Sequence, residues 1–203
     1  MKRFFLLIFL CPLITAFSQV GYRSGYAINY KGDTIRGKIK DRKFYNNVIS
    51  WQKILLINKQ GEKEKFTPED IKSYVKGDSL VYQTLALGVE ERRRFVAIVE
   101  SGAVILFADI KRPLPPEKKN VEGFFINVRM EGVNQRIEGE YYLQKRGDVN
   151  SLMEWRARDY KTTAKYFFKD NTELIKTIDE EKLKYEDIQK IVKEYNLWKF
   201  RQN

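Results

Sequence analysis

The basic residues of two short segments carry the side chains best suited to binding an anion. The first segment contains Arg92, Arg93 and Arg94, which follow two glutamates. Guanidinium groups can hold a phosphate or a carboxylate through paired hydrogen bonds. The same run is also typical of a solvated hairpin loop, in which the acidic and basic side chains partly neutralise each other. We therefore treat the three arginines as candidate binding residues.

The second basic segment is the proline-rich stretch over residues 111–122. Its prolines favour an exposed, locally extended loop. Long connections in compact domains are often functional, so we expect Lys111, Arg112, Lys118 and Lys119 to be available to an acidic partner. The alternative is a long connection between two strands that has no binding role.

Two glutamates have a spacing that could support catalysis. Glu138 and Glu140 alternate along a predicted strand, which places them on the same face. Paired carboxylates of this kind can serve glycoside hydrolysis, although two exposed glutamates on a sheet are the commoner reason for the pattern. The neighbouring Tyr141, Tyr142 and Trp155 could stack on a sugar ring or could pack in the core and at its rim.

The composition excludes several familiar enzyme classes. The chain has no histidine and a single cysteine, Cys11. A Ser-His-Asp triad and histidine-containing zinc sites are therefore excluded. Because Cys11 lies in a segment that we expect to be removed, we expect neither a cysteine nucleophile nor a disulfide framework. No ligand loop or glycine-rich phosphate loop stands out, and we expect no catalytic residue, metal or cofactor.

The first eighteen residues have the pattern of a secretory signal peptide. A short basic start precedes an apolar run over residues 4–17, and Ala16-Phe17-Ser18 fits cleavage before Gln19. The run is shorter than the roughly 20 residues that a membrane span needs. A retained N-terminal anchor and a lipoprotein modified at Cys11 are the alternatives. We expect an exported protein in the periplasm, at the outer-membrane periphery or outside the cell, and not an integral membrane protein.

The charge distribution favours an anionic partner. The formal net charge is +11, and most of the basic excess lies in residues 19–150. Such an excess favours acidic glycans, anionic membrane surfaces or nucleic acid. Because we expect export, we expect no nucleic-acid partner. The alternative is a well-solvated surface with scattered lysines.

Residues 19–150 have the pattern of an antiparallel β body. Alternating apolar and polar residues that are rich in Val, Ile, Tyr and Phe predict strands. The strands are predicted over residues 26–30, 34–40, 48–57, 70–75, 80–87, 94–100, 103–110, 124–130 and 136–144. Their regular spacing and glycine-containing turns predict antiparallel meanders in a sandwich or open barrel.

Residues 151–203 instead predict about three short helices. Apolar residues recur there at steps of three and four. Asp170 and Glu173 have the spacing of a capping box at a helix start, and Asn196 predicts a helix end. We expect the apolar stripe of these helices to pack on the β body. The predicted fold class is therefore α+β, with a signal peptide over residues 1–18 in front of it.

A basic-Gly-Asp tripeptide follows a predicted strand three times. The three copies are Lys31-Gly32-Asp33, Lys76-Gly77-Asp78 and Arg146-Gly147-Asp148. Glycine supplies the positive φ of a tight turn, and aspartate can accept a hydrogen bond from the backbone two residues on. We therefore interpret all three as turns, and we do not interpret the third as an adhesion motif.

The chain resembles a set of uncharacterised secreted proteins of Bacteroidota in four segments: GYAINYKGDTIRGKI, FTPEDIKSYVKGDSLVY, YFFKDNTELIKTI and LKYEDIQKIVKEYN. The resemblance implies an envelope or secreted location and a β-rich body with a helical C-terminal end, and it transfers no catalytic residue. The sequence as a whole favours an exported, non-catalytic envelope protein that binds a partner protein, an anionic glycan or a lipid surface. A carboxylate-dependent glycan hydrolase and a peripheral binder of anionic membrane are the alternatives.

Overall fold

The computed structural model describes residues 21–41, 53–78, 80–88, 90–113, 125–130 and 133–202. These residues form an antiparallel β body followed by C-terminal helices, which confirms the predicted α+β class. The strands are β1 (Arg23–Asn29), β2 (Thr34–Asp41), β3 (Ile54–Ile57), β4 (Lys63–Phe66), β5 (Ile71–Lys76), β6 (Leu80–Leu87), β7 (Arg92–Glu100), β8 (Val104–Pro113), β9 (Phe125–Met130), β10 (Val133–Lys145) and β11 (Met153–Trp155). The helices are α1 (Tyr160–Phe168), α2 (Thr172–Asp179) and α3 (Ile188–Gln202).

The strands belong to one continuous antiparallel sheet that is built from two meanders. Its order is β11-β10-β8-β7-β6-β5-β1-β2-β3-β4, and β9 pairs with β10. The first meander runs from β1 to β4 and the second from β5 to β8. Pairing of β1 with β5 joins them. Within each meander, strands that follow one another in the chain also pair with one another, as is usual in antiparallel sheets.

The predicted strands agree with the observed ones except at charged or short elements. Neither β4 nor β11 was predicted, because β4 has the sequence Lys-Glu-Lys-Phe and β11 has only three residues. The predicted strand over residues 48–57 is observed only from Ile54, and residues 48–52 lie outside the described part. The loop predicted over residues 111–122 begins too early, since β8 continues to Pro113 and pairs with β10 there.

The first half of the sheet, β1 to β6, and the second half, β7 to β11, bury their apolar residues in different ways. In the first half, Ala27, Ile39 and Ile71 are fully buried beside a stacked pair of rings, Tyr74 and Tyr82, with centroids 4.6 Å apart. In the second half, the three helices cover β8, β10 and β11. That cluster is centred on Trp155, Phe167, Phe168 and the α3 residues Ile188, Ile191 and Val192. The apolar stripe predicted for the helices is therefore buried against the sheet.

Helix α3 is fixed to the sheet by a residue that the sequence analysis had assigned to a helix end. Asn196 lies inside α3, so that prediction is wrong. Its Nδ2 donates to the carbonyl of Val104 at 2.8 Å, and its Oδ1 accepts from the N–H of Val104 at 2.9 Å. A Cβ on Gly102 would lie 2.3 Å from this side chain. Glycine therefore leaves the space in which Asn196 binds the start of β8.

The start of α2 also differs from the predicted capping box. Asn171 is the capping residue, and its side chain accepts a hydrogen bond from the N–H of Leu174 at 3.0 Å. Asp170 instead accepts hydrogen bonds from Tyr195 Oη at 2.9 Å and from Lys199 Nζ at 2.6 Å. The carboxylate predicted to cap one helix thus connects the α1–α2 turn to α3.

The three basic-Gly-Asp tripeptides occur at turns, as predicted. Gly32, Gly77 and Gly147 have φ values of +92°, +65° and +82°, which glycine adopts without steric cost. Asp148 accepts a hydrogen bond from the N–H of Asn150 at 3.0 Å. The side chain of Arg146 donates to the carbonyl of Gly102 at 2.6 Å. The arginine of the third tripeptide is therefore bound to its own chain.

Candidate functional site

The outer face of β1 and β2 combines tyrosine rings with cationic side chains. Ala27 and Ile39 are fully buried on the opposite face of these strands. Because side chains alternate between the two faces of a strand, the intervening residues lie on the outer face. We call this surface the tyrosine–cation face and define it by Tyr22, Tyr26, Arg36, Lys38 and Lys40.

Two cations of this face lie over tyrosine rings. The Arg36 guanidinium carbon is 5.6 Å from the centroid of the Tyr26 ring, and Lys40 Nζ is 5.0 Å from that of Tyr22. Strand register produces the first contact, since Tyr26 and Arg36 are directly opposite each other. Contacts of this kind contribute about 0.5–1 kcal/mol each at exposed sites. They hold flexible cationic side chains in place on the surface.

The β1–β2 turn fixes this register. Asn29 Oδ1 accepts hydrogen bonds from the N–H groups of Lys31 at 2.9 Å and Asp33 at 2.8 Å, and its Nδ2 donates to Asp33 Oδ2 at 2.8 Å. Gly32 supplies the positive φ. An asparagine that binds the backbone ahead of it mimics a backbone turn, so the hairpin forms with a defined pairing of its strands.

The β3–β4 turn has the same construction, which the sequence analysis missed. Asn58 Oδ1 accepts from the N–H groups of Gln60 and Glu62 at 3.0 Å each, and Nδ2 donates to Glu62 Oε2 at 2.7 Å. Gly61 has a φ of +85°. The repeated pattern is Ile-Asn-x-x-Gly followed by Asp or Glu. It begins at Ile28 and again at Ile57. A search for asparagine three residues before a glycine would have found both turns, whereas a search for basic-Gly-Asp tripeptides finds only the first.

A cavity of about 610 Å³ opens on the tyrosine–cation face. Ser24, Tyr26, Arg36 and Lys38 contribute to its lining from β1 and β2. The β3–β4 turn contributes Ile57, Asn58, Lys59 and Gly61, and the β5–β6 turn contributes Gly77 and Asp78; Gly25 and Gly37 complete the lining. Three cationic side chains and one carboxylate therefore surround this cavity.

Two glycines at the floor of the cavity let β1 and β2 lie close to the strands that lead into the β5–β6 and β3–β4 turns. Gly25 and Gly37 are directly opposite each other in β1 and β2. A Cβ at Gly25 would lie 2.0 Å from the carbonyl oxygen of Val75, and one at Gly37 would lie 2.3 Å from that of Ile57. Only glycine permits such an approach. Both added Cβ atoms would point to the buried face, where Ile39 and Leu56 also lie, so these close contacts fix the spacing of the strands beneath the cavity.

The three predicted arginines do not form one anion site. Arg92 and Arg94 lie on one side of β7 and Arg93 on the other, as expected from strand alternation. Arg92 pairs with the exposed Glu90 at 2.6 Å. Arg93 lies 5.0 Å from the centroid of the Tyr30 ring, which is close to the end of β1. Arg94 forms an ion pair of 2.9 Å with Asp109.

The side chains of the other four predicted binding residues lie outside the described part of the structure. Lys111 and Arg112 belong to β8, where Arg112 pairs with Glu138 of β10 in the strand register. Lys118 and Lys119 lie outside the described residues. Their proposed role as contacts for an acidic partner stays a prediction.

Of the two glutamates considered for hydrolysis, the side chain of Glu138 lies outside the described part of the structure. The second one, Glu140, and the carboxylate that faces it across the sheet form contacts with their own chain. Asp109 and Glu140 are opposite each other in β8 and β10. The Asp109 side chain is 5% exposed and pairs with Arg94, while Glu140 accepts a hydrogen bond from Tyr142 Oη at 2.9 Å. Burial, together with the charge of Glu140, raises the pKa of Tyr142, so this phenol stays protonated. Asp109 and Glu140 line neither the cavity on the tyrosine–cation face nor a smaller cavity of about 360 Å³ beside α2 and α3.

The aromatic residues considered for sugar stacking are mostly core residues. Trp155 and Tyr141 are 1% and 2% exposed. Burial raises the pKa of Tyr141 to about 12, although a hydrogen bond from Gln189 opposes the shift. The exposed tyrosine rings are instead Tyr30, just after β1, and Tyr166 in α1, while Tyr22 and Tyr26 are half-buried.

Among the residues that the structure describes, no group of three or more acidic, histidine or cysteine side chains could hold a metal ion. In the same part of the chain, no helix has the length and apolar character needed to cross a membrane. Comparisons with known protein families, curated proteins and solved structures found no match.

Proposed function

We propose that the protein is an exported, non-catalytic envelope protein that binds an anionic polymer through the tyrosine–cation face. The observation that carries this proposal is the pairing of Arg36 with Tyr26 and of Lys40 with Tyr22. A surface that alternates aromatic rings and fixed cations can contact both the ring atoms and the charges of a polymer. The signal-peptide pattern of the first eighteen residues supports export.

Glycan hydrolysis is the second candidate, and the register that places Asp109 opposite Glu140 favours it. A hydrolase needs one carboxyl group that can donate a proton and a second that acts on the sugar or on water. The ion pair with Arg94 occupies one oxygen of Asp109. Binding without catalysis therefore fits the contacts better.

The test is binding of dextran sulfate, with neutral dextran as the uncharged polymer. We expect the wild-type protein to bind only dextran sulfate, with an affinity that falls as salt rises, because salt screens exposed charges. The double substitution Arg36→Gln and Lys40→Gln should lower the affinity about 3–30-fold, at roughly 0.3–1 kcal/mol for each exposed charge.

The matched control is Lys190→Gln with Lys193→Gln, which removes the same charge from exposed positions of α3. An equal loss in both double variants would show that net charge alone attracts the polymer, and the proposed face would be abandoned. Binding to anionic phospholipid vesicles but not to dextran sulfate would replace the polymer with a membrane surface as the ligand.

A further inference from the structure

The cavity on the tyrosine–cation face has a defined size and shape. Binding of a polymer by charge alone would not need either. Its volume of about 610 Å³ lies within the roughly 300–1,000 Å³ of small-molecule sites. The Gly25–Gly37 pair and two hydrogen-bonded turns form its floor and walls. A cavity whose shape is fixed by the backbone can select one unit of a ligand.

The β5–β6 wall is held in place by the backbone. The N–H of Gly77 donates to the carbonyl of Ser24 at 2.8 Å, which joins that turn to the floor strand β1. The opposite wall is held by the Asn58 side chain, which is bonded within the β3–β4 turn. Both walls are therefore preorganised, which lowers the entropic cost of binding.

The charges of the cavity are arranged for a ligand with one anionic group. Arg36, Lys38 and Lys59 supply the positive charge, and Asp78 places a carboxylate at the β5–β6 side. A carboxylate repels a second anionic group but accepts hydrogen bonds from hydroxyl groups. The tyrosine ring of Tyr26 adds an apolar surface that suits the C–H groups of a sugar ring.

We propose that this cavity binds a single uronic-acid residue of an acidic glycan. The sugar carboxylate lies among Arg36, Lys38 and Lys59, the ring contacts Tyr26, and sugar hydroxyl groups donate to Asp78. This inference rests on the proposed function and names the ligand class of the same surface. Inorganic phosphate shares the anionic charge, but it has no sugar ring to contact Tyr26.

Calorimetric titration with cellobiuronic acid, cellobiose and inorganic phosphate tests the proposal. We expect the full chain to bind cellobiuronic acid about tenfold more tightly than either of the other two, because only that ligand has both the charge and the sugar ring. Lys59→Gln should weaken binding of cellobiuronic acid about three- to fivefold, which is the effect of losing one exposed charge contact. Tyr26→Leu should weaken binding of both disaccharides.

The control variant is Lys65→Gln, which removes an exposed lysine of the same hairpin that does not line the cavity. It should bind cellobiuronic acid as the wild type does. Equal affinities of the wild type for cellobiuronic acid and phosphate would overturn the inference, as would equal effects of Lys59→Gln and Lys65→Gln.

Binding of dextran sulfate, measured in parallel, separates this inference from the proposed function. If dextran sulfate binds and cellobiuronic acid does not, the cavity proposal is wrong while the polymer-binding face stands. If cellobiuronic acid binds and dextran sulfate does not, the cavity proposal stands and the broader polymer function is wrong.

Discussion

At the residue scale, Asp170 shows how one carboxylate can connect three helices. It follows α1, precedes α2 and accepts hydrogen bonds from Tyr195 and Lys199 of α3. Burial raises the pKa of Asp170, but the hydrogen bonds from Lys199 and Tyr195 outweigh burial, so the net effect lowers it. The ionised form is therefore the one that stabilises the folded state.

This shift predicts a pH-dependent contribution to stability. A carboxyl group whose pKa is lowered by folding stabilises the protein above its unfolded pKa of about 3.9, and the contribution is lost as pH falls through the folded value. Asp170→Asn should therefore lower the free energy of unfolding at pH 7 by about 0.2–1 kcal/mol, since the side chain is partly exposed. Urea unfolding at pH 7 and pH 3 measures the difference, which should shrink at pH 3.

Glu69→Gln is the control for this prediction, because Glu69 is an exposed acidic residue outside the helices. It should change the free energy of unfolding little at either pH. A difference between Asp170→Asn and wild type that stays constant from pH 7 to pH 3 would mean that the carboxylate charge is not what stabilises the helices.

At the element scale, the glycines of the first meander have two different roles. Gly61 has a positive φ, and nothing lies within 4 Å of the position that its Cβ would occupy. Gly37 has no such φ, but its Cβ would lie 2.3 Å from the carbonyl oxygen of Ile57. The first glycine serves the turn, whereas the second serves the close approach of β2 and β3.

The two roles predict different costs for the same substitution. Gly61→Ala should lower the free energy of unfolding by about 1–2 kcal/mol, the cost of a left-handed conformation for a residue with a Cβ. Gly37→Ala should cost more and should also alter the cavity, because the β2 and β3 backbones must separate. Urea unfolding measures both costs. Equal costs would show that the β2–β3 contact relaxes easily, contrary to the geometry described above.

At the scale of the whole molecule, the sequence predicted the class of fold better than the site. Alternation over Leu80–Leu87 matches β6 at both ends because that strand is flanked by clear turns. In contrast, β4 has only Phe66 as an apolar residue, which packs against the cluster of the first half. Such a sequence has no alternating pattern, and the turn at Asn58 directs its pairing with β3. The strand order across the sheet, including the β1–β5 pairing, has no local signal in the sequence.

The candidate site shows the same limit. Arg92, Arg93 and Arg94 are predicted binding residues because they are adjacent in the chain, but strand alternation separates them. Arg36 and Tyr26 are ten positions apart, and only the hairpin register brings them together. Asparagine at Asn29 determines that register, so the turn pattern was the signal that could have located the surface.

The continuous sheet predicts that both halves unfold as one unit. Ala97 of β7 packs against the apolar cluster around Tyr74 and also against the cluster covered by the helices. Ile71 and Ile191, one in each cluster, are fully buried. Replacing either with alanine should lower the free energy of unfolding by about 2–5 kcal/mol. In both variants, urea unfolding followed by far-ultraviolet circular dichroism and by tryptophan fluorescence should give coincident transitions.

Phe200→Ala is the control, because Phe200 is 80% exposed and its loss should change stability by less than about 0.5 kcal/mol. The chain has three tryptophans, so both variants are made in a Trp51→Phe background. The remaining Trp155 and Trp198 belong to the cluster covered by the helices, so fluorescence then reports on that half, whereas circular dichroism reports on the whole sheet. If Ile191→Ala shifts the fluorescence transition to lower urea and leaves the circular dichroism transition behind, the halves unfold separately. In that case the first half of the sheet, which carries the tyrosine–cation face, would stay folded after the half covered by the helices has unfolded.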